Sequence, residues 1–514
     1  MAGIPKGRFS GWFYASLGVI SIYLLLLIIK WQALPVFIDI YYHSSCMTGF
    51  RDAGGIVLHD FWELAPAGRP HLYPPLFHVI MLALNKLGFS PLAVTRIASV
   101  AIYPALLTTI LFVLRKLYND RLAFLTILMA ASSYIFFVNV MVAIPATIGL
   151  IIFILIFYAL ENRKILSGIL LLGLLFYTHG AIPWMAVLTM AVYGILRREA
   201  IRPVLIVIFG GILLGSPWLI HMIRNRDYFI TVNNYLNNYY EANIFLYIFT
   251  FFGMLTALKR KKGMLFYFAM LAATIPLAKD YTFRFLCGEG LLPLIFFAGV
   301  GLDDIYGKAA QVLKGRGRRM IHAALLPWAV FYLFTFFAPV ISRNQDAFSY
   351  ETRGSTFSKI TARDPAFSNA MASTIYVKKY MEELFKIINA NSRPDELIYS
   401  NYGYVAGLFY TFCDRATTCA MLNEVKPLYY SNPVINAALF VWLKNPERYF
   451  EPELKLLIKR LGLIEVAETE FAHVYRNPVV IAHKTVARPV VPSAAAFFIL
   501  AMWIFLIVWS FVRK

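Results

Sequence analysis

The chain has 514 residues, 60% of them hydrophobic and 16% aromatic, with a mean hydropathy of +0.64 and a net charge of +20. That apolar content excludes an ordinary soluble domain, and apolar segments of about 20 residues recur, the length that crosses a hydrocarbon core. The basic excess gathers at the ends of these segments, which points to cytoplasmic span ends and away from nucleic acid.

Met1–Gly11 leads straight into a first predicted span at 12–30, so no cleavable signal peptide is expected. Residues 31–90 follow as a long outer loop. Within it "PPLFHVIMLALNKLGF" carries histidine and lysine and reads as a helix lying at the interface. Further spans are expected near 91–114, 121–138, 143–160, 164–178, 182–197, 203–220, 243–258, 264–278, 285–302, 321–340 and 493–511.

The basic clusters test this topology. Arg115-Lys116, Arg163-Lys164, Arg197-Arg198, the run Lys259–Lys262, Lys314–Arg319 and Arg513-Lys514 share one side if 75–90 does not cross. By the positive-inside rule that side is cytoplasmic, with both termini. The loops near 139–145, 179–182, 221–242 and 279–284 then face outward with 31–90.

Residues 342–490 are more polar. "NAMASTIYVKKYMEELFKIINAN" has the spacing of an amphipathic helix, "ELIYSNYGYVAGLFY" reads as strand, turn and helix, and "LIEVAETEFAHVYRN" alternates like strands. A segment of this length can bury a core of its own. The expected organisation is a membrane domain over 1–341, an extracytoplasmic α/β domain over 342–490 and a C-terminal transmembrane helix over 491–514. Cys413 and Cys419 either pair in an oxidising compartment or stay as free thiols.

Chemistry is expected on the outer face. Asp39 in "FIDIYYHSS" follows the first span, where a carboxylate can act as a general base or hold a divalent cation. His43 lies four residues on and would share a helix face with it. Asp60 and Glu63 add further acids to the same loop. Arg284 in "KDYTFRFLCGEGLLPLI" opens a predicted span at the outer face, where a guanidinium grips phosphate by two parallel hydrogen bonds. His179 and His221–Arg224 also reach outer loops and are placed to meet an anionic headgroup. Asn233–Tyr240 suits either stacking on sugar rings or a plain surface loop.

These features resemble the GT-C glycosyltransferases. The first loop is most similar to the catalytic subunit of oligosaccharyltransferase, in its archaeal and bacterial single-subunit form. That family has an acid in a D-P-x-[FY]-[NH]-Y type of stretch, then an Asp six residues before P-x-G-R, then Y-P-G-L. Here stand Asp39-Ile-Tyr-Tyr-His43, then Asp60 six before Pro66 in "PAGR", then "YPPL" at Tyr73–Leu76. The family's W-W-D-Y-G string has Tyr399-Ser400-Asn401-Tyr402-Gly403 as its counterpart, sharing Tyr402 and Gly403. The resemblance departs in the second outer loop, "FFVNVMVAIPATIG", which has Asn139 and no carboxylate where the family keeps an acidic pair. Glu241 and Asp227 are the acids nearest the family's Glu-bearing flexible loop.

The resemblance implies a polytopic α-helical membrane protein of GT-C type with about twelve transmembrane helices. It implies an inverting transferase that moves a sugar from a polyprenyl-phosphate or pyrophosphate donor to an acceptor on the outer face. Asp39 and Asp60 would be catalytic. Arg284, His179 and Arg224 would bind donor phosphate. Asn401, Tyr402, Gly403 and Glu241 would bind acceptor. Asp39 and His43 would hold a divalent metal, Mn or Mg, if one is required. The implied partners are the polyprenyl-linked donor, membrane lipid and a protein or glycan acceptor. An asparagine acceptor follows the closest resemblance. A lipid, polysaccharide or hydroxyl acceptor follows from the missing acidic pair. A transporter of lipid-linked glycan is the competing class, but transporters place charges at the bilayer midplane, and few ionisable residues fall there in this chain.

Overall fold

The computed structural model describes residues 10–35, 39–229, 240–260, 264–280, 282–312, 338–344, 347–353, 381–421, 436–444, 451–479 and 482–513. The expected span 321–340 and the stretch 233–239 fall outside the described residues, except that 338–340 belong to a strand and not to a helix.

Helices dominate. They are α1 (Gly11–Ile29), α2 (Asp39–Ala53), α3 (Leu76–Lys86), α4 (Pro91–Leu117), α5 (Asp120–Ser132), α6 (Tyr134–Val142), α7 (Ile144–Glu161), α8 (Ile165–Phe176), α9 (Ile182–Leu196) and α10 (Ile201–Arg224). There follow α11 (Ile244–Arg260), α12 (Leu265–Asp280), α13 (Thr282–Cys287) and α14 (Leu291–Val312). Among the described residues, six helices are long and apolar enough to cross a membrane, or seven if a bent pair counts as one span. Starts are set by local chemistry. Ser90 accepts from the Ala93 amide with Pro91 just inside α4, and Asn119 accepts from Leu122 at the head of α5.

The bent pair is α5 and α6, which meet at 81°. One straight span over 121–138 was expected. Ser133 takes an extended conformation, and Ser132 turns its hydroxyl back onto the Met129 carbonyl. Such back-bonding competes with the helix ladder, so the serine pair breaks the span. As a result residues expected in an outer loop, around Asn139, are helical.

Close packing of the membrane helices relies on glycine. Gly211 and Gly215 of α10 form a G-x-x-x-G face against Leu172 and Phe176 of α8. Gly253 of α11 and Gly301 of α14 bring two backbones together, with Gly253 against the Phe297 carbonyl and Gly301 against that of Phe249.

Outside the helices, β1 (Gly55–Ile56), β2 (His59–Asp60) and β3 (Arg69–Pro70) lie in the first loop. β2 and β3 form a small antiparallel ribbon pairing His59 with Pro70 and Asp60 with Arg69. β4 (Tyr240–Asn243), β5 (Ala338–Asn344) and β6 (Ala347–Arg353) form an antiparallel sheet in that order. Further along stand α15 (Glu382–Asn391), β7 (Ile398–Ser400), α16 (Ala406–Cys413), β8 (Leu439–Leu443), α17 (Glu451–Leu461), β9 (Ile464–Glu468), β10 (Ala472–Arg476), β11 (Val491–Pro492) and α18 (Ser493–Val512). A mixed sheet runs β7-β8-β10-β9, with β7 parallel to β8 and the other pairs antiparallel. This matches the strand-turn-helix and strand readings of the sequence. All four cysteines are free thiols.

The segment around β7 and α16 does not float apart from the first loop. Thr417 N–H donates to the Trp62 carbonyl at 2.9 Å, Ala65 N–H returns to Thr417 at 2.9 Å, and Leu64 N–H reaches Cys419 at 3.3 Å. Tyr410 donates to Asp52 at 2.7 Å, and Arg51 pairs with Asp414 at 2.6 Å. β11 pairs with β1, which ties the start of α18 to the same loop. Hence α2 is buried along residues 40–50 although its own hydropathy averages near zero.

Candidate active site

The first loop carries a closed ionic cluster. Arg69, with 1% of its side chain exposed, donates to Glu63 at 2.6 Å and to Asp60 at 3.4 Å. His71 Nδ1–H donates to the other Asp60 oxygen at 2.6 Å. The Met421 amide donates to Glu63 at 3.3 Å. One cation thus faces two carboxyls. Burial pushes the Glu63 carboxyl up to about 7, outweighing Arg69, so the cluster approaches neutrality by keeping a proton on Glu63. Gly68, at φ +68°, sits against the Asp60 carbonyl and leaves no room for a side chain. The "PAGR" turn is therefore built to return Arg69 to Asp60.

Beyond this cluster lies a group of histidines. His43 of α2 and His78 of α3 share a hydrogen bond at 3.0 Å between Nδ1 and Nε2, and His71 packs against His78 with ring centres 5.5 Å apart. Burial lowers His43 to about 3 and drives His78 well down too, so both rings are neutral. His71 Nε2 and His78 Nδ1 are buried without a hydrogen-bond partner.

From His43 the site opens toward the membrane helices. Its ring centre lies 4.8 Å from that of Tyr73, which lies 6.2 Å from that of His179. His179 is lowered to about 3 by desolvation first, then by the charges of Arg284 and His43. Tyr73 thus stands between His43 of α2 and the loop residue His179. Arg284 is about one third exposed and donates to Glu289 at 2.6 Å. Glu289 is 2% exposed, and its second oxygen is buried with no hydrogen-bond partner. Gly288 lies against Asn139 of α6; a Cβ there would sit 2.9 Å from the Asn139 amide nitrogen. The broken α5–α6 pair and the break between α13 and α14 therefore meet beside Arg284.

Each expected site residue has a definite place. Asp39 heads α2, half-buried, one turn before His43 on the same face. Asp60 lies 1% exposed inside the ionic cluster, where its oxygens are taken up by Arg69 and His71. Arg224 ends α10 and is exposed, with Asp227 also exposed just beyond. His221, on the preceding turn, donates Nε2–H to the His71 carbonyl at 2.8 Å. Asn401 uses both ends of its amide on the Leu443 backbone, at 3.1 and 2.8 Å. Tyr402 is half-buried, and Gly403 abuts the Ala420 carbonyl. Glu241 stands in β4 opposite Ser342, and its side chain lies outside the described residues. Glu289, Arg69 and His78 are the participants that sequence reasoning passed over. The signal for Glu289 was an acid between two glycines at a helix break.

The donor set at Asp39 does not fit a resident metal among the described residues. No third His, Cys, Asp or Glu among the described residues completes a ligand group with Asp39 and His43. The group with metal-ligand spacing is Glu465, Glu468 and His473, on β9 and β10 away from α2, where Lys444 already bonds Glu468.

No family model and no curated protein matches the sequence. Solved structures do. ArnT from Cupriavidus metallidurans in the apo state superposes with a TM-score of 0.56 at 12% identity, over 90% of this chain and 98% of that one. The same protein bound to undecaprenyl phosphate gives 0.55 at 13% identity, over 91% and 98%. The archaeal oligosaccharyltransferase AglB from Archaeoglobus fulgidus, in complex with an inhibitory peptide and a dolichol-phosphate, gives 0.51 at 10% identity, over 90% and 74%. At such identities the likeness speaks of the fold alone, a polytopic helical membrane fold shared with these proteins.

Proposed function

We propose that this chain is an inverting glycosyltransferase using a polyprenyl-phosphate or pyrophosphate sugar, with its site on the extracytoplasmic face. The observation that supports the reading is the run of rings from His43 of α2 through Tyr73 to His179, a histidine whose charged form the Arg284 guanidinium disfavours. It is consistent with a half-buried carboxylate, Asp39, and a partly exposed guanidinium serving one site.

In this reading the lipid tail stays in the bilayer and the donor phosphate rests on Arg284. Asp39 takes the proton of the acceptor nucleophile. The acceptor atom bonds to the anomeric carbon from the face opposite the phosphate. The bond from that carbon to the phosphate oxygen breaks, and its electrons leave with the phosphate. Arg284 meets that charge as it grows. Glu289 holds Arg284 in place from behind. His43 and His179, both neutral, line the approach without adding charge that would hold the leaving phosphate too tightly.

The acceptor favoured here is a hydroxyl on a lipid or glycan. Asn401, the counterpart of an acceptor-gripping acid, is committed to Leu443, and Gly403 has no free space around it. A protein asparagine is the second reading, supported by the likeness to AglB and its inhibitory peptide. The test is transfer from a radiolabelled undecaprenyl-phosphate sugar in membranes, comparing the native chain with Asp39→Asn and Arg284→Gln. Full turnover by both variants at equal expression refutes the reading. Label in lipid or polysaccharide, not in protein, separates the two acceptors.

A further inference from the structure

A partly open cavity lies beside His221, the residue that bonds the His71 carbonyl. Its volume is about 320 Å³, within the range of small-molecule sites. Its walls come from Leu76 and Val79 of α3, Pro217 and Trp218 of α10, and Ala496 and Leu500 of α18. The β1–β11 ribbon roofs it on the aqueous side, through Ile56 and Val491. Three facts define what it accepts. It is almost wholly apolar, and α10 and α18 expose apolar side chains such as Leu213, Ile220, Ile499 and Phe505 to the surrounding hydrocarbon. Among the described residues, no lysine, arginine or acid lines it. Trp218, 4% exposed, is one of its lining residues, and its indole N–H is buried with no hydrogen-bond partner.

The other polar groups on its wall are spent: Tyr177 donates its hydroxyl to the Leu214 carbonyl at 3.1 Å and Trp503 its indole N–H to the Leu170 carbonyl at 2.9 Å. His221 donates Nε2–H to the His71 carbonyl at 2.8 Å and accepts from the Asn225 amide on Nδ1 at 3.3 Å, which makes it a neutral ring. An uncharged donor with no cation beside it suits a neutral carbonyl oxygen and gives nothing to a phosphate. An ester carbonyl sits where a phospholipid's hydrocarbon begins, at the depth where a ribbon-roofed gap between outer span ends must lie. We propose that this cavity binds an acyl chain of an outer-leaflet phospholipid, with its ester carbonyl accepting from Trp218 Nε1. It is a lipid site distinct from the one beside Arg284. The contact from His221 to the His71 carbonyl couples it to the Asp60 cluster.

The test uses the full chain in nanodiscs of phosphatidylethanolamine and phosphatidylglycerol carrying a trace of phospholipid with a diazirine on its acyl chain. Irradiation is expected to label peptides of α18 and α10 around Leu500 and Trp218. Ala496→Phe, which fills the space, is expected to abolish that label and the co-purifying phospholipid seen by native mass spectrometry. Trp218→Phe keeps the shape and is expected to lower retention about five-fold, the scale of one hydrogen bond. Leu500→Phe serves if Ala496→Phe does not fold. Binding of undecaprenyl phosphate is read in parallel and is expected to stay unchanged, so failure here is separable from failure at Arg284. Unchanged acyl labelling in both filling variants overturns the proposal. So does labelling of the cavity by a diazirine polyprenyl phosphate in place of the phospholipid.

Discussion

Replacing Arg69 by methionine tests whether the "PAGR" turn is a structural device. Arg69 is 1% exposed and faces two carboxyls that are 1% and 0% exposed. Methionine keeps much of the apolar stem and removes the charge. Glu63, raised to about 7, already keeps its proton over much of the neutral range, so the uncompensated charge is chiefly that of Asp60. Breaking a buried pair by removing one partner costs roughly 3–5 kcal/mol, and the hydrogen bond from His71 to Asp60 holds the value near the lower end. The penalty must depend on pH. A carboxyl whose folded pKa is raised contributes stability below its unfolded value, near 4.5, and loses it as pH rises through the folded value. Without Arg69 the rise grows, so the deficit, already present at pH 5 through Asp60, should be larger at pH 8, where Glu63 would also be charged. Thermal stability in detergent, read by size-exclusion fluorescence at both values, measures it. Arg69→Met with Asp60→Asn should recover most of the loss. A variant that melts with the native chain at pH 8, or a deficit that does not change with pH, refutes the reasoning.

Other outcomes follow from the same geometry. Asp39→Asn is expected to lower kcat about 10²- to 10⁴-fold with an unchanged melting point, since Asp39 is half-buried and heads its helix; a melting shift with normal turnover would reverse that assignment. Arg284→Gln is expected to weaken donor use by roughly 1.5–3 kcal/mol, about 10- to 150-fold, and Glu289→Gln to do so less, read as kcat/KM against donor concentration. Gly211→Leu should overpack α10 against Leu172 and destabilise by about 1–3 kcal/mol, measured as a lower melting point. His43, lowered to about 3, binds its proton more weakly folded than unfolded, so its contribution is full above about 6.5 and is lost as pH falls from there. Acid should therefore destabilise the native chain, and His43→Phe should flatten the slope between pH 6.5 and 4.5.

The membrane helices were legible because their signal is local: apolar length, a serine or asparagine cap and a basic end. The α2 segment was not. "DIYYHSSCMTGFRDA" has neither the apolar run of a span nor a clean amphipathic face. It is helical and buried because β7, α16 and the residues up to Met421 close over it from some 360 positions away, as Gly407 against Tyr41 shows. Composition carries no trace of such a contact. The enclosure of Asp60 was hidden for a related reason. The spacing of an acid before "PAGR" was visible, but the turn that folds Arg69 onto that acid is a tertiary fact. The helix break at Ser133 and the acid at Glu289 were in plain view as residues. What they do depends on two breaks meeting, with Asn139 against Gly288.

The acids around the candidate site therefore divide by environment. Asp60 and Glu63 are enclosed, matched to one guanidinium and tied by Met421 to a distant part of the chain. A carboxyl so placed is a poor base, because each proton it takes must be matched against Arg69 and a dry surrounding. Asp39 is half-buried and stands one turn from a neutral histidine that faces the Arg284 side. It can exchange a proton with an acceptor without dismantling the fold. Glu289 is intermediate, with one oxygen on Arg284 and the other bare. It can hold the guanidinium at rest and yield it to a phosphate of greater charge. The proposed transfer builds charge at one point and keeps it fixed at another, and so needs both kinds of carboxyl. The first loop supplies them within a few turns of chain because its far half is pinned by strands that come from the other end of the molecule.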